Sequence, residues 1–205
     1  MVRSRLPHKS EQSRLFLYIA ITLVVVVAGW WFIARLRTGE AHKVAHTFLN
    51  AIRRGDASAI LQICHPEEVE ALSLREEEIL PTLRALRMWF FGSGTHTSIA
   101  RISQGKRDWL VVLLREEANS KQTQYDFIIY NTPYGYKILW TNTVLGFAVR
   151  AVREELRPKY PSLASAPLTR GTLLRQMVEE RVIQWGVRRV WRMTGEIDTL
   201  PSPPY

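Results

Sequence analysis

Residues 41–56 read AHKVAHTFLNAIRRGD. The apolar positions Ala41, Val44, Ala45, Phe48, Leu49 and Ile52 recur at i, i+3, i+4, i+7, i+8 and i+11, the spacing of a helix that buries one stripe. Arg53 and Arg54 fall in its last turn, where cations complement the helix dipole. Gly55 suits the left-handed position just past a helix end. Asp56 can cap a second helix, from Ala57 to about Cys64. His65-Pro66 ends that helix, because the residue before a proline avoids helical dihedrals. A third helix is predicted from Glu76 to Trp89, with Leu80, Leu83, Leu86 and Met88-Trp89 on its apolar side.

Downstream, Phe91-Gly92-Ser93-Gly94 breaks the helical pattern and four strand-like runs follow, at 97–103, 109–115, 123–131 and 136–145. Turn residues separate them: Gln104-Gly105, Ala118-Asn119-Ser120 and Thr132-Pro133-Tyr134-Gly135. Connections this short favour an antiparallel meander. Trp109 to Leu114 is apolar on both faces and belongs in the middle of the sheet. Tyr125, Phe127 and Ile129 alternate with Gln124, Asp126 and Ile128, so the third strand has one wetter face. Tyr136, Ile138 and Trp140 form a matching aromatic row. A short helix is read at 147–156, a proline-bearing connector at 158–167 and a helical stretch at 169–193.

Upstream, residues 15–34 read LFLYIAITLVVVVAGWWFIA, twenty residues without a charge, preceded by Arg14 and followed by Arg35 and Arg37. As a helix at about 1.5 Å per residue they cover roughly 30 Å, the hydrocarbon thickness of a bilayer. Tyr18 near one end, and Trp30 and Trp31 near the other, match an interfacial aromatic belt. A cleaved signal peptide fits less well. The apolar run exceeds the usual length for one, and Arg35 and Arg37 separate it from the small residues at Gly39-Glu40-Ala41. The span, from Leu15 to Ala34, is therefore read as an uncleaved anchor. Residues 1–14 carry four Lys/Arg and residues 35–49 carry three. That bias orients the N-terminus to the cytoplasm and the C-terminal domain to the other side.

The chain of 205 residues carries a net charge of +9. Residues 1–40 hold six Lys/Arg against two Glu, so nearly half of the excess flanks the anchor. The remaining +5 is a weak argument for nucleic acid, which is not an expected partner. A single cysteine, Cys64, excludes an intrachain disulfide, a CxxC pair and a cysteine zinc site.

The helix-opening pattern Ala45, Phe48, Ile52, Gly55, Asp56, with three helices and then four strands, resembles the nuclear transport factor 2-like (SnoaL-like) superfamily over residues 41–145. The resemblance implies an α+β fold in which a curved antiparallel sheet is packed by N-terminal helices into a cone-like domain enclosing a pocket. Here an early short hairpin could only be Val69–Leu74. A short cytoplasmic tail, one span and an external domain of this kind also looks like the inner-membrane core component of type IV secretion systems. The superfamily contains isomerases, dehydratases and non-catalytic modules, so the fold leaves function open.

Ketosteroid isomerase-type chemistry needs a pocket-facing carboxylate base and two acidic donors at the oxyanion. Asp126 lies on the opposite strand face from Tyr125 and Phe127, so no catalytic residue is assigned. His42 and His46 share a helix face, but the stretch is not HExxH, and solvent-facing histidines are the plainer reading; no metal or cofactor is expected. The acidic residues Glu67, Glu68, Glu70, Glu76, Glu77 and Glu78 lack the glycine and ligand alternation of a calcium loop and read as a solvated face. Arg175, Arg181, Arg188, Arg189 and Arg192 around Trp185 and Trp191 read as a packing segment with arginines at its rim, with lipid contact second.

The resulting organisation is a basic tail at 1–14, a transmembrane helix at 15–34, the α+β domain at 41–156, a helical extension at 157–193 and a disordered tail at 194–205. The expected pocket lining is Tyr125, Phe127, Ile129, Tyr136, Ile138 and Trp140. The expected function is a single-pass, membrane-anchored binding or assembly module of the cell envelope. Its partners are the lipid bilayer, a protein or a second copy of the chain, and a small apolar ligand. The alternatives are an anchored isomerase or dehydratase and a scaffold in a secretion or conjugation complex.

Overall fold

The computed structural model describes the backbone of residues 9–169 and 171–200, and the side chains of 18–29, 38–169 and 171–200. Helix α1 runs Lys9–Arg54 and is followed by α2 (Ala57–Ile63), α3 (Pro66–Leu72) and α4 (Glu76–Phe91). Four strands come next, β1 (Thr95–Gln104), β2 (Trp109–Glu117), β3 (Gln122–Thr132) and β4 (Gly135–Ile138). The chain closes with α5 (Trp140–Leu156), α6 (Pro161–Ala164), α7 (Leu173–Gln184), β5 (Arg189–Trp191) and β6 (Ile197–Thr199). Two compact units divide at residue 40, one of Met1–Glu40 and one of Ala41–Tyr205.

In the first unit the backbone is helical from Lys9 and throughout 15–34. Of the residues read as the anchor, the side chains of Leu15, Trp30, Trp31 and Ala34 lie outside the described set. Among the described residues no helix is long and apolar enough to cross a membrane.

The second unit is α+β, with its main sheet in the order β1-β2-β3-β4, antiparallel throughout. The expected stripe on α1 packs as read: Ala41, Ala45, Phe48 and Ile52 are fully buried and Leu49 nearly so. The helix ends in a Schellman motif. Asp56 N–H donates to Ala51 O at 2.9 Å, Gly55 N–H donates to Ile52 O at 3.3 Å, and Gly55 has φ +73°. Asp56 caps α2 by accepting from Ala59 N–H at 2.9 Å. On β3 the burial alternates as expected, with Thr123, Tyr125, Phe127 and Ile129 inward and Gln124, Asp126 and Ile128 outward.

Four expectations are corrected. The segment Val69–Leu74 is not a hairpin, since Pro66 at the first helical position starts α3 there. On α4, Met88 points to solvent and Ile79 and Phe90 occupy the core instead. The fourth strand stops at Ile138, and Trp140 opens α5. Its period-2 row of Tyr136, Ile138 and Trp140 overlaps a helical stripe of Trp140, Val144, Phe147, Ala148, Ala151 and Val152, all of them buried. Finally, the helical stretch read to residue 193 ends at Gln184. Gly186 adopts φ +95° and residues 189–199 form the hairpin β5-β6, turning at Gly195 with φ +81°. Strand β6 thus occupies part of the stretch read as a disordered tail; residues 201–205 lie outside the described set.

Candidate functional site

The residues expected to line a ligand pocket are packed against one another and against the helices. Tyr125, Phe127, Ile129, Ile138 and Trp140 are at most 3% exposed, and Tyr136 is half-buried. Phe48 from α1 lies tilted against Phe127 at 4.4 Å and Phe147 at 6.1 Å, and meets Trp140 edge-on at 6.4 Å. Phe90 from α4 meets Tyr125 at 5.0 Å and Phe147 at 5.2 Å. The Tyr125 hydroxyl accepts from Trp89 Nε1 at 3.0 Å, and burial raises its pKa above the usual value. These rings fill the inner face of the sheet as core. Asp126 stays on the outer, exposed face, away from them.

A cleft opens elsewhere, where the C-terminal segment crosses the helices. It has a volume of about 410 Å³ and combines apolar walls from Leu72, Leu74, Pro81 and Val187 with the polar groups of Glu78 and Thr82. Thr82 is fully buried and its hydroxyl has no hydrogen-bond partner. Gly186 lets the crossing strand approach this closely, because a Cβ there would stand 3.1 Å from Pro81 Cβ and 3.2 Å from Thr82 Oγ1.

Trp140 and Thr141, in the first turn of α5, also line the cleft, and both are bonded to Glu68. Helix α5 has no local side-chain cap at Leu139. Glu68 supplies one from α3. Its carboxylate accepts from Trp140 N–H at 2.7 Å, Thr141 N–H at 2.9 Å and Thr141 Oγ1 at 2.7 Å. Thr141 Oγ1 in turn accepts from Trp191 N–H at 3.1 Å, tying β5 into the same network. Glu68 is fully buried, and that burial raises its pKa although the bonds from Thr141 and Trp140 pull the other way. Among the six acidic residues read as a solvated face it is the exception; the other five are exposed. The signal was present in its spacing, since Glu68 lies four residues before buried Leu72 and three after buried His65, on the inner side of α3.

No protein-family model matches this chain, and no curated protein matches it in sequence.

The remaining candidates fall into place as packing. His65 is buried against Trp191 at 5.4 Å, and burial pushes the neighbouring Cys64 thiol well above its usual range. His46 is exposed, while His42 meets Trp109 edge-to-face at 6.4 Å. Among the described residues no cluster of His, Cys, Asp or Glu could hold a metal ion. The C-terminal arginines sit at the rim of a packed segment. Arg175 pairs with Glu179 at 2.6 Å, Arg181 clamps Glu155 through two bonds of 2.8 and 2.7 Å, Arg189 donates to Leu72 O at 2.7 Å, and Arg192 pairs with Asp198. Trp185 and Trp191 are buried. Chemically, the cleft can hold an apolar group against Leu72, Leu74, Pro81 and Val187. The one buried carboxylate beside it has its lone pairs committed to the start of α5.

Proposed function

We propose that the chain is a single-pass, membrane-anchored binding or assembly module of the cell envelope, with its N-terminus cytoplasmic and the unit from Ala41 on the opposite side. One observation carries the reading. Tyr18, Ile19, Ile21, Leu23 and Val24 to Val27 are 52–68% exposed on one helix, apolar in every direction around it. An apolar surface of that extent is a liability in water and an asset in lipid. Thr22, the only polar side chain among residues 19–29, returns its hydroxyl to Tyr18 O at 2.8 Å and so leaves no polar group unmet along the stretch. The unit from Ala41 is read as a domain similar to the nuclear transport factor 2-like superfamily. Its helix–Gly-Asp–helix opening and its four-stranded meander support that reading.

The non-catalytic reading is favoured over an isomerase or dehydratase. The aromatic side of the sheet is filled by its own rings, and Glu68 serves as a helix cap. The small apolar ligand or partner side chain expected for the aromatic face is better accommodated by the cleft over Trp140 and Thr141. A scaffold role in a secretion or conjugation complex makes the further demand of stable oligomers or co-purifying partners.

The test is alkaline carbonate extraction of membranes from cells expressing the full chain, with intact mass measured on the retained protein. Retention at full mass is expected, as is protection or digestion of the unit from Ala41 according to which membrane face meets protease. Release into the wash, or a mass showing cleavage near Gly39, overturns the anchor.

A further inference from the structure

Strand β4 pairs only with residues 129–132 of β3, so residues 122–128 have no strand on that side. Helix α5 lies there instead. Arg150 Nε donates to Gln124 O at 3.0 Å, and Glu154 pairs with the same guanidinium at 3.6 Å. Backbone groups two residues apart leave a strand by the same edge. Asn131 N–H, of the opposite parity, donates to Asp108 beside β2, as that alternation requires. The N–H and C=O of Asp126 therefore face α5 as Gln124 O does, and none of the described residues bonds to them there. One helical turn before Arg150 stands Gly146, on the same face of α5. It has no side chain to offer, and a Cβ there would meet nothing within 4 Å. A gap of about 190 Å³ is left between β3 and α5. Its walls carry the Asp126 carboxylate, the Tyr130 and Thr143 hydroxyls and the Asn142 amide, and no cationic side chain. Asn142 donates an amide N–H to Trp191 O at 2.8 Å, which leaves its Oδ1 as an acceptor. Thr143 is 7% exposed, and its hydroxyl, the Tyr130 hydroxyl and the Asp126 carboxylate make no bond to the described residues.

We infer that this gap is a binding site for the guanidinium group of a small organic cation. Arg150 shows the mode, a guanidinium laid on an edge carbonyl of β3 beside a carboxylate. One step along the edge the same features recur, the Asp126 C=O and an unpaired carboxylate, and Gly146 leaves the place of the side chain open. A guanidinium carries five N–H donors in one plane and no acceptor, which suits walls rich in acceptors and bearing a single negative charge. An ammonium is a compact point charge and matches a row of acceptors less well. The gap is smaller than the roughly 300–1,000 Å³ of sites for drug-sized ligands, so its occupant is a headgroup-sized solute. The site is separate from the cleft over Trp140 and Thr141, and it does not depend on the anchor.

The experiment follows the backbone amide resonances of Asp126 and Gly146 in the isotope-labelled, detergent-solubilised full chain, titrated with methylguanidinium, methylammonium or urea. Methylguanidinium should shift both amides saturably and bind at least about ten-fold tighter than the point-charge cation or the neutral planar amide, because charge-assisted, forked hydrogen bonds are the strong ones. Asp126→Asn keeps the shape of the wall and should abolish the preference over urea. Gly146→Arg brings a guanidinium from the helix position one turn before Arg150. It should end methylguanidinium binding and raise the thermal midpoint above that of Gly146→Ala, which adds helix propensity alone. Equal affinity for the three solutes, no saturable shift, or a methylguanidinium preference that survives either Asp126→Asn or Gly146→Arg overturns the site. The peptide acetyl-Gly-Arg-Gly-amide tells the source of the group. Weaker binding than methylguanidinium is expected, and tighter binding would give the site to a partner protein's arginine and overturn the small solute.

Discussion

Residues 18–29 and 41–52 lie on the same helix and obey different rules. The first stretch is apolar on all sides and exposed on all sides. The second is apolar on one stripe, and that stripe is buried against the sheet while Lys43, His46 and Asn50 face out. A helix that packs on protein needs one apolar face, because water covers the rest. A helix that packs on lipid has no face to spare for polarity. The comparison teaches that periodicity marks the stretch that packs on protein, since only 41–52 confines its apolar residues to one stripe.

The sharpest way to break the comparison is Phe48→Ala. Removing a fully buried ring that touches Phe127, Trp140 and Phe147 should cost about 3–5 kcal/mol, read by denaturant unfolding of the detergent-solubilised chain, with membrane retention unchanged. A loss below about 1 kcal/mol would mean the stripe is not core. The mirror experiment is Val25→Arg. A central arginine disfavours insertion by about 2.5–3.5 kcal/mol, so the protein should appear in the carbonate wash while the unit from Ala41 unfolds at an unchanged denaturant midpoint.

Glu68→Gln probes the polar side of the second unit. An amide cannot accept at both oxygens' positions, so one of the donors at Trp140 or Thr141 is left unmet, at about 1–3 kcal/mol. The change also alters the response to pH. Burial raises the folded carboxyl above its unfolded value, so the native state holds the proton longer as pH rises. This group's contribution is therefore fully present below the ordinary glutamate range and is lost as pH climbs through the raised value. The stability of the native chain should fall relative to that of E68Q as pH rises across that window; parallel curves would refute the assignment. The smallest effect is expected at Gly55→Ala. Nothing lies within 4 Å of the added methyl, so only the left-handed backbone at φ +73° is charged, about 1 kcal/mol in thermal or denaturant unfolding.

Local signals carried the first half of the second unit. The stripe of α1, its Gly-Asp ending, the cap on α2 and the inward alternation of β3 are all written within a turn or two of the residues they govern. The start of α5 was not legible, because the cap that marks it comes from another helix and the residues at 139–141 include no capping side chain in use. Tyr125, Phe127 and Ile129 face inward, where the rings of Phe48, Phe90 and Phe147 pack on Tyr125 and Phe127. Alternation reports which face is buried, and says nothing of whether helices elsewhere in the chain supply rings to fill it. Gly186 and Gly195 announced breaks, yet the short hairpin they frame has strands of three residues each, too brief for a period to emerge. The cleft is legible only in three dimensions, since α3, α4, α5 and the C-terminal segment each contribute a wall.

The cap on α5 has a kinetic consequence. Glu68 reaches Trp140 and Thr141 across 72 and 73 residues of chain. Closing a loop of that size costs about 4 kcal/mol of chain entropy by the logarithmic rule, before any contact is gained. The first turn of α5 therefore cannot be held in place until α3 and the sheet between them are already organised. In a pulsed hydrogen-exchange refolding experiment the amides of Trp140 and Thr141 should gain protection after those of β2 and β3, and their early protection would show that α5 starts without its distant cap.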